Sequence, residues 1–322
     1  MKYNYKNILK RIWPYLLSVV LLIILFKFVG NLDLSLIKEV SIKTIIIAFI
    51  FYIIIKILNT IRFSYIYKKL NFRELLPSLL VCNFLLSLFP LRAGEISYLV
   101  YLKKIYKKDN IINLKNLLVV RFLDILSILI LFIVSAIFVV NKLNNNYVDA
   151  IYYLAILLAT IIIILFIIKK QISNIIIKVI RKIKPKRKYA IKLKRNIGSL
   201  ANAFKEDSYK KLLITLFLSL AYWATRYIFG YVILTSLGLN LDIYTIFFIT
   251  SITILIAIIP IQTIAGFGLH EISWTYLLVL FGIPKALAFS VSLISHIIII
   301  IPILFLGIIS WLYMLLRNNH KP

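Results

Sequence analysis

Residues 89–102 read FPLRAGEISYLVYL, and this stretch predicts that an apolar chain doubles back within a membrane. Pro90 and Gly94 interrupt an apolar run that is too short to span a bilayer, and the flanking segments 62–74 and 103–115 are rich in Lys and Arg. Cationic loops stay on the cytoplasmic side of a membrane. Because both flanks belong to one side, the run between them should enter and leave by the same face, as a re-entrant element.

A second stretch, IPIQTIAGFGLHEISWTYLLVL at 259–280, follows the same plan. Both stretches contain Pro, then Ala-Gly, then Glu-Ile-Ser and an aromatic residue, so that Glu95 corresponds to Glu271. Arg121 and His296 follow these acids at 26 and 25 residues, each inside an apolar run. Paired interruptions in the two halves of a membrane protein predict an inverted repeat with a binding site between the halves.

The composition of the chain is that of a membrane protein. Of its 322 residues, 62% are hydrophobic and 16% charged, and the mean hydropathy is +0.98, which excludes a water-soluble globule. The formal net charge of +28 suits an anionic cytoplasmic leaflet, and no soluble domain presents that charge to nucleic acid. One cysteine and three histidines without an H-E-x-x-H motif predict no disulfide, metal or other cofactor.

Hydropathy and loop charge together predict an all-α polytopic membrane protein whose N- and C-termini lie on the cytoplasmic side of the cell membrane. It forms a single integral membrane domain over 1–322, with a first half at 12–168, a basic linker at 169–211 and a second half at 212–316. An eight-span alternative requires 272–283 to cross the bilayer. The favoured arrangement has re-entrant elements at 75–102 and 243–283 and six full spans, at 12–29, 43–61, 116–140, 150–168, 212–236 and 286–316.

The linker at 169–211 carries fifteen cations against Glu206 and Asp207, which places it in the cytoplasm. A solvated loop without a specific ligand is the favoured interpretation. The alternatives are an amphipathic helix on anionic headgroups and a docking segment for a lipid-modifying enzyme.

Charged residues within or beside apolar runs form the candidate site. Placing a charged side chain in a bilayer costs several kcal/mol unless the side chain is buried inside the protein. Arg121 and Asp124 lie three residues apart and share a helix face. Arginine and helix N-termini both bind phosphate, so the set could hold a phosphate-bearing headgroup. Arg121 could instead reach the headgroups, as is expected of Lys56 near a span end, and His296 could simply bond between helices. The remaining charged candidates are Arg92, Glu95, Arg226 and Glu271.

Three motifs, LFPLRAGEISYLVYLKK, VVRFLDILSIL and P-x(5)-G-x-G-x-x-E, resemble those of the lysylphosphatidylglycerol synthase transmembrane-region family over roughly residues 10–316. The resemblance implies a flippase-like helical domain that moves lipids or lipid-linked groups. His296 departs from it, since many members have an arginine there. No soluble aminoacyl-transferase domain is found up to Pro322, so synthase activity is not implied. The positions that the motifs carry over are Arg92, Gly94, Glu95, Arg121, Asp124, Gly266, Gly268 and Glu271.

The leading hypothesis is therefore a lipid translocator rather than an enzyme. An anionic headgroup would lie between the two interrupted segments, and alternating opening of the two halves would exchange it between leaflets. Transport would be passive or ion-coupled, with Glu95 or Glu271 as the proton carrier. The alternatives are an intramembrane enzyme acting on a lipid-linked phosphate or sugar, and an accessory subunit of a lipid-modifying enzyme.

Overall fold

Apolar runs in this chain form helices, because a backbone in hydrocarbon has to satisfy its own hydrogen bonds. The computed structural model describes residues 40–67, 71–89, 94–106, 110–142, 208–258 and 264–319, with isolated positions within 20–27 and 149–160. Besides two short 3-10 turns, Val140–Lys142 and Ile264–Gly266, these residues form eight α-helices. They are α1 (Ile42–Tyr67), α2 (Phe72–Leu88), α3 (Glu95–Tyr106), α4 (Asn110–Val139), α5 (Tyr209–Ser236), α6 (Ile243–Ile258), α7 (Leu269–Leu280) and α8 (Lys285–Asn319).

The predicted all-α multi-pass architecture is confirmed. Four helical segments among the described residues are long and apolar enough to cross a membrane, and they coincide with the spans predicted at 43–61, 116–140, 212–236 and 286–316. The segments are Ile42–Tyr67, Ile112–Lys142, Tyr209–Ser236 and Lys285–Arg317. The spans predicted at 12–29 and 150–168, and the linker at 169–211, lie outside the described residues.

Helices α2 and α3 form an antiparallel hairpin. Tyr98 and Leu102 of α3 pack with Leu75 and Leu79 of α2 in one buried cluster, and Gly94, just before α3, lies against the end of α2. The same cluster includes the last turns of α1 and residues from the first half of α4. The hairpin therefore begins and ends at one end of the bundle, as a re-entrant element does.

Helices α6 and α7 form the second hairpin. The ring of Phe248, in the second turn of α6, lies 6.1 Å from that of Phe281, which directly follows α7. At the other end, Ala265 and Gly266 line a cavity with Ala257 from the last turn of α6. The element at 243–283 therefore begins and ends at one end of the bundle, as a re-entrant element does.

The two hairpins enter from opposite ends of the bundle. Near the base of the first, the hydroxyl of Tyr67 donates to the carbonyl oxygen of Asn113, in the first turns of α4, at 2.9 Å. At the base of the second, Nζ of Lys142, just after α4, lies 2.6 Å from Oδ2 of Asp242. Since α4 has 30 residues, these two points are about 45 Å apart along its axis.

The two halves are built alike. Helices α1–α4 have 26, 17, 12 and 30 residues, and α5–α8 have 28, 16, 12 and 35. Helix α2 packs on α8 just as α6 packs on α4, and α1 packs on α5. If α1–α4 are exchanged with α5–α8, the contact between α2 and α8 becomes the contact between α6 and α4, and the contact between α1 and α5 is unchanged. The described residues thus have the two-fold pattern of an inverted repeat.

Ion pairs at the hairpin bases follow the same pattern. Arg317 near the end of α8 lies 2.7 Å from Glu74 in the first turn of α2, and Lys142 pairs with Asp242 at the equivalent place. The long helix of each half therefore holds the base of the other half's hairpin.

Candidate functional site

Asp124 on α4 is the centre of a buried polar network. One carboxylate oxygen forms an ion pair with Nη1 of Arg62 on α1 and accepts the indole N–H of Trp223 on α5 at 2.8 Å. The other oxygen accepts a bond of 3.4 Å from Nη1 of Arg121. A single carboxylate therefore joins helices from both halves.

Arg121 connects this network to the first hairpin. Its Nε lies 3.7 Å from Oε1 of Glu95, and its guanidinium carbon lies 5.2 Å from the ring centroid of Tyr98. Because Arg121 also faces Asp124, its charge points toward acids inside the bundle. The alternative in which Arg121 reaches the headgroups is wrong.

Two more basic side chains, Arg226 and Lys56, lie beside the network. Arg226 donates to the hydroxyl of Tyr222 at 3.2 Å and lies over the ring of Trp223, 4.8 Å from its centroid. Nζ of Lys56 lies 4.9 Å from the ring centroid of Tyr52, and the residue is only 3% exposed.

Positive charge exceeds negative charge in this region. We call the cationic cluster the three residues Arg62, Arg121 and Arg226, which lie beside two carboxylates, Glu95 and Asp124. Nε of Arg62 and Nη2 of Arg121 are buried without a hydrogen-bond partner among the described residues. A buried charge without a counter-charge is costly, so an enclosed surplus of cations favours the binding of an anion.

The second hairpin carries a different polar centre, the His–Glu pair of His296 and Glu271. Glu271 is 0% exposed; its Oε1 lies 2.5 Å from Nδ1 of His296, and its Oε2 accepts the Gly268 N–H at 2.6 Å. Nε2 of His296 lies 3.1 Å from the carbonyl oxygen of Ala265. Ala265 has φ 51°, a left-handed conformation that costs a residue with a Cβ atom about 1–2 kcal/mol.

A cavity of about 210 Å³ separates the ends of the two hairpins. The imidazole of His270 stacks on that of His296 with centroids 4.2 Å apart, and its Nδ1 is buried without a hydrogen-bond partner among the described residues. The lining comes from the end of α2, the end of α6, the second hairpin tip and α8: Leu86, Ser87, Thr253, Ala257, Ala265, Gly266, Leu269, His270 and His296.

The group of His270, Glu271 and His296 does not form a preformed metal site. One donor atom from each residue lies within 4.8 Å of the others. However, both nitrogens of His296 and both oxygens of Glu271 already face partners within the protein. A metal ion would have to displace these bonds.

The glycines of the candidate set occupy turns and close contacts. Gly94 is buried against the α2 backbone, where an added Cβ would come within 2.6 Å of the Leu85 carbonyl oxygen and the Leu86 nitrogen. Gly266 and Gly268 have φ of 84° and 89°, which favour glycine. Arg92 lies outside the described residues.

Two cations of the network were misplaced by sequence reasoning. Arg62 was assigned to a cytoplasmic segment, but α1 continues to Tyr67 and buries it with 1% exposure. Lys56 is predicted to reach a headgroup near the end of its span, and that interpretation is wrong, because the residue is buried within α1. The signal was the apolar and aromatic stretch FSYIY after Arg62, which extends the span by more than a turn.

Of three comparisons with known proteins, only the one with family models found a match. Searches of curated proteins and of solved structures each found no match. The model of the family described as "Lysylphosphatidylglycerol synthase TM region" matches residues 12–307, nearly the whole chain. Together with the all-helical fold and the interrupted hairpins, this match shows that the chain belongs to the lysylphosphatidylglycerol synthase TM-region family.

Proposed function

We propose that the protein moves an anionic, phosphate-bearing lipid or lipid-linked headgroup between membrane leaflets. The observation that carries the proposal is the cationic cluster, in which three arginines lie beside two carboxylates inside a bundle of membrane-spanning helices. Charged side chains inside membrane proteins line substrate or ion pathways. A phosphate group would supply the negative charge that the cluster lacks.

The fold supports movement as well as binding. The two hairpins come from opposite ends of the bundle and end at a shared cavity, and repeat-related halves around a central site are typical of transporters. Exposed apolar side chains, such as Phe217 on α5 and Phe305 on α8, cover the outside of the long helices. Lipid tails could therefore stay in the bilayer while the headgroup crosses inside.

The experiment is a headgroup-accessibility assay in liposomes with labelled phosphatidylglycerol or labelled phosphatidylcholine. We expect faster exchange of the anionic lipid, and an Arg226→Gln variant should slow that exchange about tenfold, the equivalent of one lost ionic contact. Lys210→Gln is the matched control, because it removes an exposed cation from the same helix. Exchange no faster than in protein-free liposomes would overturn the proposal.

The same vesicles distinguish translocation of the lipid from its covalent modification. A translocator returns the lipid unchanged, so mass spectrometry of the recovered lipid should show one mass. A modified product would favour the alternative of an intramembrane enzyme, and exchange that requires a second protein would favour the accessory-subunit alternative.

A further inference from the structure

Both ring nitrogens of His296 face oxygen atoms, but a neutral imidazole has only one N–H to donate and an ionised carboxylate has none. Nε2 of His296 faces the carbonyl oxygen of Ala265 at 3.1 Å, and a carbonyl can only accept, so Nε2 carries a proton. Nδ1 faces Oε1 of Glu271 at 2.5 Å, which requires another proton between the two atoms. The pair therefore holds two protons, one more than a neutral histidine and an ionised glutamate possess.

This extra proton leaves the pair with no net charge, whichever of the two residues holds it. Such neutralisation explains how Glu271 can be 0% exposed although no arginine or lysine contacts it among the described residues. The remaining oxygen of Glu271 accepts the backbone N–H of Gly268 at 2.6 Å. The proton is thus part of the structure of the second hairpin tip.

Loss of the proton would break a bond on one side of His296 or the other. If Nε2 keeps its hydrogen, the lone pair of Nδ1 faces an ionised Glu271. If Nδ1 keeps it, the lone pair of Nε2 faces the carbonyl of Ala265, which already has the unfavourable φ of 51°. Either change loosens the tip where it lines the cavity.

The equivalent position in the first half cannot respond in this way. Arg121 and His296 are each the twelfth residue of their helix, α4 and α8, and each faces the glutamate of its own hairpin. Arginine keeps its charge at every physiological pH, whereas histidine ordinarily changes charge between pH 5 and 8. The repeat thus pairs one fixed charge with one proton-dependent charge.

We infer that Glu271 and His296 form a proton-binding site whose occupancy controls the second hairpin tip, so that proton transfer accompanies each movement of an anionic lipid. The coupling rests on the proposed function, but proton binding itself does not. From the neighbouring elements, the cavity receives Ser87 of α2, Thr253 of α6 and His270 of α7. Of these only His270 is titratable, and it stacks on His296.

The first test is proton binding by the full chain in nanodiscs of phosphatidylcholine and phosphatidylglycerol, observed by ¹⁵N NMR of the histidine rings. The His296→Gln variant identifies the His296 signals. We expect one proton on Nε2 of His296 and a second proton between Nδ1 and Glu271 at acidic pH, with the ¹³C signal of the Glu271 carboxyl reporting the case in which the glutamate holds it. Loss of the second proton should change the backbone signal of Ala265. An unchanged Ala265 signal, or a His296–Glu271 pair that holds only one proton throughout pH 5–9, would overturn the inference.

The second test is exchange of phosphatidylglycerol in liposomes under a pH gradient. If one proton accompanies each lipid, a gradient of one pH unit should shift the leaflet distribution by up to about tenfold. His296→Arg copies the first half and should abolish this shift, while Lys210→Gln should keep it. If His296→Arg fails to fold, His296→Gln serves the same purpose.

The outcomes separate the two proposals. Wild-type exchange that ignores the gradient would overturn proton coupling and leave lipid translocation intact. Absence of any wild-type exchange, together with proton loss at His296 that shifts the Ala265 signal, would overturn translocation and support the proton-binding site.

Discussion

The two hairpins share one backbone plan and differ in their electrostatics. The first ends at Glu95, beside Arg121 and the two further arginines of the cationic cluster. The second ends at Glu271, whose partner His296 can be charged or neutral. A repeated fold can therefore give equivalent positions different chemistry by changing one residue type. Under the two proposals above, one half attracts an anion and the other holds a proton.

The largest effect should come from removing Asp124, the carboxylate that contacts both Arg62 and Arg121. Asp124→Asn leaves Arg62 and Arg121 without their shared partner, and breaking a buried ion pair costs about 3–5 kcal/mol. In the second hairpin, Glu271→Gln removes no net charge from a pair that is already neutral, so we expect a loss of under about 1.5 kcal/mol. Unfolding of the purified variants in detergent measures both.

A double variant, Arg62→Met with Asp124→Leu, is the control for this difference. It removes both charges together and should be less destabilised than Asp124→Asn. Equal losses for Asp124→Asn and Glu271→Gln would contradict the electrostatic contrast between the hairpins.

The second-largest difference should be in the stability lost when the glycine of each hairpin tip is replaced by alanine. Gly94→Ala places a Cβ against the α2 backbone, which cannot move aside, and overpacking costs about 1–3 kcal/mol. For Gly266→Ala the nearest atoms are 3.7 Å away in the His296 ring, so only the backbone conformation opposes the change, at about 1 kcal/mol. Unfolding free energies measure the difference, and a more damaging Gly266→Ala would contradict it.

Arg121→His should make the first hairpin depend on pH. Histidine loses its charge as pH rises from 5 to 8, so exchange of phosphatidylglycerol by this variant should fall about tenfold over that range, the equivalent of one lost charge contact. Arg121→Lys keeps a charge and should show the wild-type pH profile. A profile for Arg121→His that matches the one for Arg121→Lys would argue against a role for the Arg121 charge.

Breaking an ion pair at a hairpin base should cause the smallest loss of stability. The side chains of Lys142 and Asp242 are 49% and 36% exposed, so Asp242→Asn should cost about 0.2–1 kcal/mol, with less loss at high salt. Burial raises the pKa of Asp242, but hydrogen bonds from Lys142 and Thr245 outweigh it, and the pKa lies below its ordinary value.

A lowered pKa means that this pair stabilises the fold above the pKa of the unfolded state and stops doing so as pH falls through the folded-state pKa. The destabilisation caused by Asp242→Asn should therefore be full at pH 7 and should decline as pH falls below about 4, toward the lowered pKa of Asp242. Glu74→Gln, at the other base, is the matched comparison. A loss of stability that is the same at pH 7 and at pH 2 would contradict an ionic origin.

The sequence predicted the helical membrane fold and both interrupted segments, because hydropathy, loop charge and Pro/Gly punctuation are local properties. It also indicated the pairing of Arg121 with Asp124, which follows from helical spacing. It did not place Lys56 or Arg62 in the interior, since the end of α1 depends on contacts with α2, α3 and α4. Nor could it show that Trp223 serves Asp124, because the two residues are 99 positions apart.

The exchange of hairpins between the halves limits how the molecule can move. Helix α2 packs on α8 and α6 packs on α4. A rigid-body rotation of either half would therefore break the contacts between its hairpin and the long helix of the other half. We expect α1, α4, α5 and α8 to behave as a fixed frame, while the hairpin tips shift by small steps inside it. Cross-links between α2 and α8 should then leave transport intact, whereas cross-links between the tips should stop it.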